Sequence, residues 1–156
     1  MNKEIERKFL VKGDFKEFAK KSYKIAQGFL STQPERTVRI RIRDHQGFIT
    51  VKGISNVAGT TRFEWEKEIL LSEAENLLQL CEPTIIEKTR YIIPSDRDLF
   101  FEVDEFDGKN KGLVVAEIEL PSEGTNFNKP NWLGEEVTGQ IKYYNSMIAK
   151  NPFSKW

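Results

Sequence analysis

Thr37-Val38-Arg39-Ile40-Arg41-Ile42-Arg43 alternates aliphatic and guanidinium side chains without a break. Only an extended strand makes such a run coherent, because residues i, i+2 and i+4 then share one face. Val38, Ile40 and Ile42 make an apolar face, and Arg39, Arg41 and Arg43 lie together on the other. The same parity recurs outward from this segment. Toward the N-terminus Glu4, Glu6 and Lys8 oppose Ile5 and Phe9, with Arg7 interrupting the apolar side. Toward the C-terminus Glu64, Glu66 and Glu68 oppose Phe63, Trp65 and Ile69, and Lys88 and Arg90 oppose Tyr91 and Ile93. Glu102 and Asp104 then oppose Phe101 and Val103, and Glu117 and Glu119 oppose Ala116, Ile118 and Leu120.

Period-two patterning predicts strands over roughly Lys3–Val11, Tyr23–Thr32, Thr37–Asp44, Phe48–Gly53, Thr61–Leu70, Thr84–Ile93, Leu99–Phe106 and Leu113–Leu120. Turn residues separate several of them: His45-Gln46-Gly47, Pro94-Ser95-Asp96 and Asp107-Gly108. Three segments read as helical. Asp14–Lys20 carries Phe15 and Phe18 at a spacing of three; Ser72 and Glu75 form a capping-box pattern before Leu77, Leu78 and Leu80, ended by Pro83. Thr138 reads as the cap of a last helix with Ile141, Tyr144, Met147 and Ile148 on one stripe. With 156 residues and neither repeat nor linker, the expectation is one domain, residues 1–156. Its class is α+β, an eight-stranded antiparallel β-barrel with a few flanking helices that partly cover its apolar outer face.

A half-buried antiparallel strand ordinarily shows apolar-in and polar-out, so one such pattern has no functional meaning. Its repetition along the chain, with few Ser, Thr or Asn among the charges, points to a charged cavity. Closure into a barrel gives that cavity walls. Unpaired ions inside would each cost several kcal/mol, so acids and bases must meet there directly or through a bridging ligand. A polyanion bridges to Lys and Arg, and divalent cations bridge the polyanion to carboxylates.

Composition narrows the classes further. Twenty-four Lys and Arg balance 24 Asp and Glu, whereas nucleic-acid and membrane-surface binders carry a basic surplus, so neither partner is expected. No apolar run reaches the ~18–20 residues of a membrane span, and Met1-Asn2-Lys3-Glu4 begins no secretory signal. The lone Cys81 forbids an intrachain disulfide, and the expected compartment is the cytoplasm. Cys81 reads as packing near a helix end, and the one histidine, His45, as part of a turn. Neither a His-based triad nor a His-ligated zinc site is therefore expected. Monomer and homodimer both stay open.

Glu4-Ile5-Glu6-Arg7-Lys8 resembles the N-terminal Glu-x-Glu-x-Lys of the CYTH domain, or triphosphate tunnel metalloenzyme, superfamily. The likeness covers nearly the whole chain. It runs through Val38-Arg39-Ile40-Arg41, Thr50-Val51-Lys52, Glu64-Trp65-Glu66, Glu87-Lys88-Thr89-Arg90-Tyr91, Phe101-Glu102-Val103-Asp104, Ala116-Glu117-Ile118-Glu119 and the closing Trp132-Leu133-Gly134-Glu135-Glu136-Val137-Thr138. It implies an eight-stranded antiparallel tunnel that binds a small triphosphate with one or two Mg²⁺ or Mn²⁺ ions. Carried over by position, Glu4, Glu6, Glu117 and Glu119 are metal-side carboxylates, with Glu64, Glu66 and Asp104 as further candidates. Lys8, Arg39, Arg41, Lys52, Lys88 and Arg90 are the phosphate-binding candidates.

Mg²⁺ favours hard oxygen ligands and few carboxylates, guanidinium forks match phosphate oxygens, and phosphoryl transfer needs no Ser or Cys nucleophile. The expected reaction is in-line attack on a terminal phosphorus by a metal-oriented water, with Lys52 or Lys88 stabilising the leaving or transferred group. The expected activity is hydrolysis of inorganic tripolyphosphate or a similar small triphosphate. One position departs from the short bacterial members: Phe29 stands where a Tyr often serves as proton acceptor, and Phe has no hydroxyl. Tyr91, Tyr143 and Tyr144 read as packing, and Lys142 as a solvated helix lysine. The rivals are a class IV-like adenylate cyclase, a non-catalytic polyphosphate or nucleotide-binding module, and an ordinary barrel with a charged exterior. No aromatic cluster on the charged face serves an adenine, which favours hydrolysis over cyclisation.

Overall fold

The structure, a computed structural model, describes residues 2–156. The chain forms β1 (Lys3–Val11), β2 (Lys21–Ser31), β3 (Thr37–Arg43), β4 (Gln46–Ser55), β5 (Thr61–Ile69), α1 (Leu71–Leu78), β6 (Ile86–Pro94), β7 (Phe100–Phe106), β8 (Val114–Glu119), β9 (Leu133–Glu136) and α2 (Asn145–Lys150). All strand pairs are antiparallel, in the order β5-β4-β3-β2-β6-β7-β8-β1, and β1 pairs with β5 to close the barrel. No described helix is long and apolar enough to cross a membrane.

The eight-stranded antiparallel barrel agrees with the alternation in the sequence. β9 was not anticipated, because four residues containing a Gly and two Glu carry no period. It continues the edge of β1 beyond β5, pairing Phe9 with Glu136 and Val11 with Leu133. Its position explains Arg7, the charge that interrupts an apolar face. The Arg7 guanidinium donates to both oxygens of Glu136, at 2.8 and 2.7 Å. Thr138 then donates to Glu136 at 2.7 Å and accepts the Lys8 backbone N–H at 2.9 Å.

The helices are shorter than their patterns suggested. Asp14–Lys20 gives only a 3₁₀ turn, Lys16–Phe18, since Phe15 is buried while Phe18 stays exposed. α1 begins before the Ser72 capping pattern, because β5 runs to Ile69 and the chain turns at once. The Glu73 carboxylate accepts the Leu70 N–H at 3.0 Å and replaces the expected box. Thr138 caps no helix, being engaged with β1 and Glu136. A 3₁₀ turn over Ile141–Tyr143 and an extended Tyr144 (ψ 137°) interrupt the last stripe before α2.

Cover for the barrel also differs from the expectation of flanking helices. α1 lies over β2, β3 and β4, close enough that a Cβ at Gly47 would stand 2.6 Å from that of Ala74. The outer face around β1, β7 and β8 is closed mainly by non-helical chain. There Phe9, Phe101, Val103, Ala116 and Ile118 pack with Phe15, Phe127, Trp132 and Leu133, and the Phe101 and Trp132 rings meet edge to face at 5.1 Å. α2 covers no outer face. Ile148 and Ala149, with Val137 and Tyr143, pack against inward-facing Phe29, Ile86, Phe106 and Val115, so the C-terminal segment plugs one end of the bore. Each such buried side chain contributes roughly 1.5–3 kcal/mol.

Candidate active site

Strand order arranges the inward-facing charges into two arcs. β4, β3, β2 and β6 are consecutive around the wall and contribute Lys52, Arg39, Arg41, Arg43, Lys88 and Arg90 with no inward carboxylate. The remaining wall, β7, β8, β1 and β5, contributes Glu102, Asp104, Glu117, Glu119, Glu4, Glu6, Glu64, Glu66 and Glu68, relieved by Lys8 and Arg62. Between the arcs is a cavity of about 220 Å³, lined by Glu4, Glu6, Lys8, Arg39, Arg41, Lys52, Lys88, Arg90, Glu117 and Glu119 among others.

The arcs neutralise each other at their two seams. At β6–β7, Arg90 and Asp104 face each other in register, and the guanidinium donates to both carboxylate oxygens, at 2.8 and 2.9 Å. Lys88 Nζ lies 2.8 Å from the same carboxylate, with its side chain 0% exposed. At β4–β5, Lys52 sits opposite Glu64 and lies 3.3 Å from it and 2.9 Å from Glu4. Arg39 reaches Glu66 at 3.3 Å and Thr50 at 3.0 Å. Lys8 lies 3.7 Å from Glu117 and donates to the Tyr143 carbonyl at 3.2 Å.

Away from the seams, charges stand without opposite partners. Arg41 forms no ion pair among the described residues; both its bonds, at 3.0 and 2.8 Å, go to the Gln27 amide oxygen. Arg43 lies over the rings of Tyr23 and Phe48, at 4.8 and 5.0 Å. The Nε groups of Arg39 and Arg43 are buried with no hydrogen-bond partner among the described residues. Glu6, which pairs in register with Glu119, forms no ion pair among them either. A buried donor without a partner costs about 1–3 kcal/mol, a cost that an anion accepting those bonds would relieve.

These surroundings shift the titrations. Burial, then repulsion from Glu117 and Glu4, pushes Glu6 well above the usual carboxylate range. Burial and a hydrogen bond with Glu4 raise Glu64 to about 7. Burial and the neighbouring Glu4 and Glu102 charges raise Glu119. Burial opposes ionisation of Glu4 and Glu117 too, but Lys52 and a hydrogen bond with Glu64 together outweigh it at Glu4, and Lys8 and Arg90 bring Glu117 down to about 2. Asp104 is held far below the usual range, because Arg90 and Lys88 overcome its burial. The two candidate lysines part company. Burial brings Lys88 down to about 7 despite Asp104, whereas at Lys52 the attraction of Glu4 and Glu6 overcomes burial and raises the value.

The residues singled out in the sequence share this bore, in unequal roles. Glu4, Glu6, Glu64, Glu117 and Glu119 form the acidic concentration. Asp104 stands apart from them: its oxygens are taken by Arg90 and Lys88, so it orients cations. Among the described residues no three acidic, His or Cys side chains converge tightly enough to hold a metal ion unaided. That arrangement suits Mg²⁺, which binds through one or two carboxylates and completes its shell with water and substrate phosphates. Glu4 with Glu64 and Glu6 with Glu117 stand close enough to share a proton, and such paired hard-oxygen groups would suit a divalent cation.

Several site residues escaped the sequence reading. Arg43 and Glu102 were placed on the charged face by parity but not among the binding or metal candidates. Gln27 is found only through its register with Arg41, and Asn145 comes from a helix whose position no pattern gives. Tyr144 lines the cavity, its ring 5.2 Å from Lys8 Nζ. Phe29 faces the bore as part of the apolar plug. Tyr91 packs on Phe15 outside the barrel, and Lys142 stacks on Trp156 away from the cavity. Cys81, raised by burial and Glu82, is a packing residue at the end of α1.

The CYTH domain family model matches residues 2–148. A protein of Acetivibrio thermocellus named inorganic triphosphatase is 45% identical over 157 residues, spanning 100% of this chain and 99% of that relative. A Nitrosomonas europaea protein of the same name is 35% identical over 150 residues, covering 94% and 96%. The crystal structure of an inorganic triphosphatase superimposes with a TM-score of 0.67 at 33% identity, covering 93% of this chain and 96% of that one. A family match over nearly the whole chain and a closed antiparallel barrel with an ionic bore agree: the chain belongs to the CYTH domain family.

Proposed function

We propose that this protein is a metal-dependent triphosphatase that hydrolyses inorganic tripolyphosphate or a similarly small triphosphate. One observation carries the reading: a continuous cationic wall faces a carboxylate wall across a cavity of about 220 Å³. Pockets for drug-sized ligands occupy ~300–1,000 Å³ and are mostly apolar, so this one suits a compact, highly charged ligand. The curated relatives, both named inorganic triphosphatase, point the same way. An adenylate cyclase has less support, since an adenine needs an apolar shelf and most of the side chains lining the bore are charged.

In this reading Arg39, Arg41 and Arg90 grip phosphate oxygens with planar forks, and Lys8 adds a compact charge beside them. Glu4, Glu6, Glu117 and Glu119, with Glu64 and Glu66 behind them, hold Mg²⁺ or Mn²⁺ brought in with the triphosphate. The metal supplies charge neutralisation and a more acidic bound water. Lys52, kept protonated between Glu4 and Glu64, stabilises charge as it develops. Lys88, balanced near neutrality, donates a proton to the departing phosphate oxygen. The dry, preorganised donors of the basic arc stabilise the transition state without rearranging.

The test is release of orthophosphate from tripolyphosphate by purified protein with Mg²⁺ or Mn²⁺, and with EDTA. Metal-dependent release is expected. Cyclic AMP as the main product from ATP, or tight binding without turnover, overturns it.

A further inference from the structure

Gln27 and Asn145 are neutral residues placed among charges, and their hydrogen bonds leave one consistent orientation. Lys88 Nζ donates to Asn145 Oδ1 at 3.0 Å, and Gln27 Nε2 donates to the same oxygen at 2.9 Å. Gln27 Oε1 accepts from Arg41 Nε and NH2 at 3.0 and 2.8 Å. A guanidinium or ammonium group only donates, so each must face an amide oxygen. Gln27 is then left to turn its NH₂ toward Asn145, and flipping either amide breaks the chain of bonds. Gln27 is 0% exposed, and Asn145 opens α2, so the C-terminal plug reaches Lys88 through this bridge.

The choice of amides over carboxylates is the informative part. Arg41 and Lys88 repel each other across the basic arc. Lys88 already has a carboxylate partner in Asp104, at 2.8 Å, whereas Arg41 has none among the described residues; a Glu at 27 would pair with Arg41 and relieve that repulsion. Such a pair would also cancel charge that phosphate oxygens need. An amide oxygen supplies the same acceptor geometry with no net charge. The loop between β4 and β5 reinforces the anchorage: Gly59 and Gly139, at φ 78° and 77°, bring their backbones together where neither tolerates a side chain.

We infer that Gln27 and Asn145 are positioning residues that fix the spacing of the Arg41 and Lys88 donors while leaving the Arg41 charge available to substrate phosphates. The inference rests on the triphosphatase reading above and deepens it. Its test compares Asn145→Asp and Gln27→Glu with wild type in tripolyphosphate kinetics and in metal-free thermal unfolding. Each substitution is nearly isosteric: Asn145→Asp keeps both bonds to its oxygen and adds attraction to Lys88, and Gln27→Glu gains an ion pair with Arg41 that offsets the bond to Asn145 it loses. Tm therefore stays level or rises, while KM for tripolyphosphate rises about tenfold or more, because the introduced carboxylate competes with phosphate. Asn145→Ala, which removes an anchor without adding charge, lowers kcat more than it raises KM.

A merely structural amide moves stability and activity together, so opposite movement of Tm and KM is the distinguishing signature. KM within twofold of wild type in either folded acidic variant overturns the inference, and so does a fall in Tm for both. Should wild type fail to hydrolyse tripolyphosphate, the triphosphatase reading itself fails. Metal-free calorimetric binding of tripolyphosphate then makes the same comparison, with equal affinity in all three proteins as the contradicting result.

Discussion

The two arcs of the barrel wall confront the same difficulty, like charges crowded away from water, and relieve it by different means. Arginines do not shed protons, so the basic arc keeps its charge and dissipates repulsion into neutral groups: the Gln27 amide under Arg41, and the Tyr23 and Phe48 rings under Arg43. Carboxylates can protonate, and the acidic arc uses that freedom, with Glu6, Glu64 and Glu119 all raised. One side is thus a permanently charged receptor for an anion. The other mixes carboxylates that neighbouring cations keep ionised, Glu4, Glu117 and Asp104, with the raised carboxyls, which hold their protons more tightly. Ion pairs concentrate where the arcs meet, at Arg90–Asp104 and Lys52–Glu64, with Lys8–Glu117 inside the acidic arc.

Removing the centre of either arc should separate their roles, and gives the largest effects. Arg41→Ala is expected to lower hydrolysis by roughly 100-fold or more and to weaken metal-free tripolyphosphate binding, as removal of a preorganised anion donor does. Glu6→Ala should lower metal-dependent hydrolysis as severely, yet leave metal-free binding of the anion intact or tighter. Calorimetry alongside phosphate release checks both. Equal loss of metal-free binding in the two variants would erase the distinction between the arcs.

Acidity probes the same contrast without mutation. Glu64 is raised from 4.5 to about 7 by burial and its bond with Glu4, so its contribution to stability is present below 4.5 and lost as pH rises through 7. Lys88 is lowered from 10.5 to about 7 by burial, so its contribution is present above 10.5 and lost as pH falls through 7. These two groups therefore give the metal-free protein its lowest Tm near neutral pH, with higher values on either side. Thermal unfolding between about pH 5 and pH 9 tests this, and Mg²⁺ with tripolyphosphate should raise Tm most near the minimum. A Tm that changes in one direction across the range contradicts it.

Smaller effects mark the limits of the site. Phe29→Tyr places a hydroxyl in the apolar plug, costing about 1–3 kcal/mol if unpaired, and should change kcat only a few-fold. A large gain in kcat would show that a hydroxyl at that position takes part in proton transfer. Trp65 lies on the outer face and is 40% exposed; Trp65→Ala should leave kcat and KM within about twofold, since surface changes away from such features are usually mild.

Parity alone put the right charges on the inner face, because strands return to a face every second residue. It could not reveal the arcs. Segregation of acids from bases depends on β2 lying beside β6 and β1 closing onto β5, long-range pairings that no local pattern records. Asp104 looked like any other inward carboxylate until register placed Arg90 opposite it. Phe15 and Phe18 suggested a helix because spacing does not distinguish one buried ring from two. Asn145 left no trace in the sequence, since its role comes from α2 entering the bore, which depends on how the apolar plug packs.

The most direct test of a divided bore is a crystal structure with tripolyphosphate and Mn²⁺, with manganese located by anomalous scattering. The account predicts phosphate oxygens against Arg39, Arg41 and Arg90, and manganese between the anion and the carboxylates around Glu6. Manganese on the outer surface, or an anion bound outside the barrel, would contradict it.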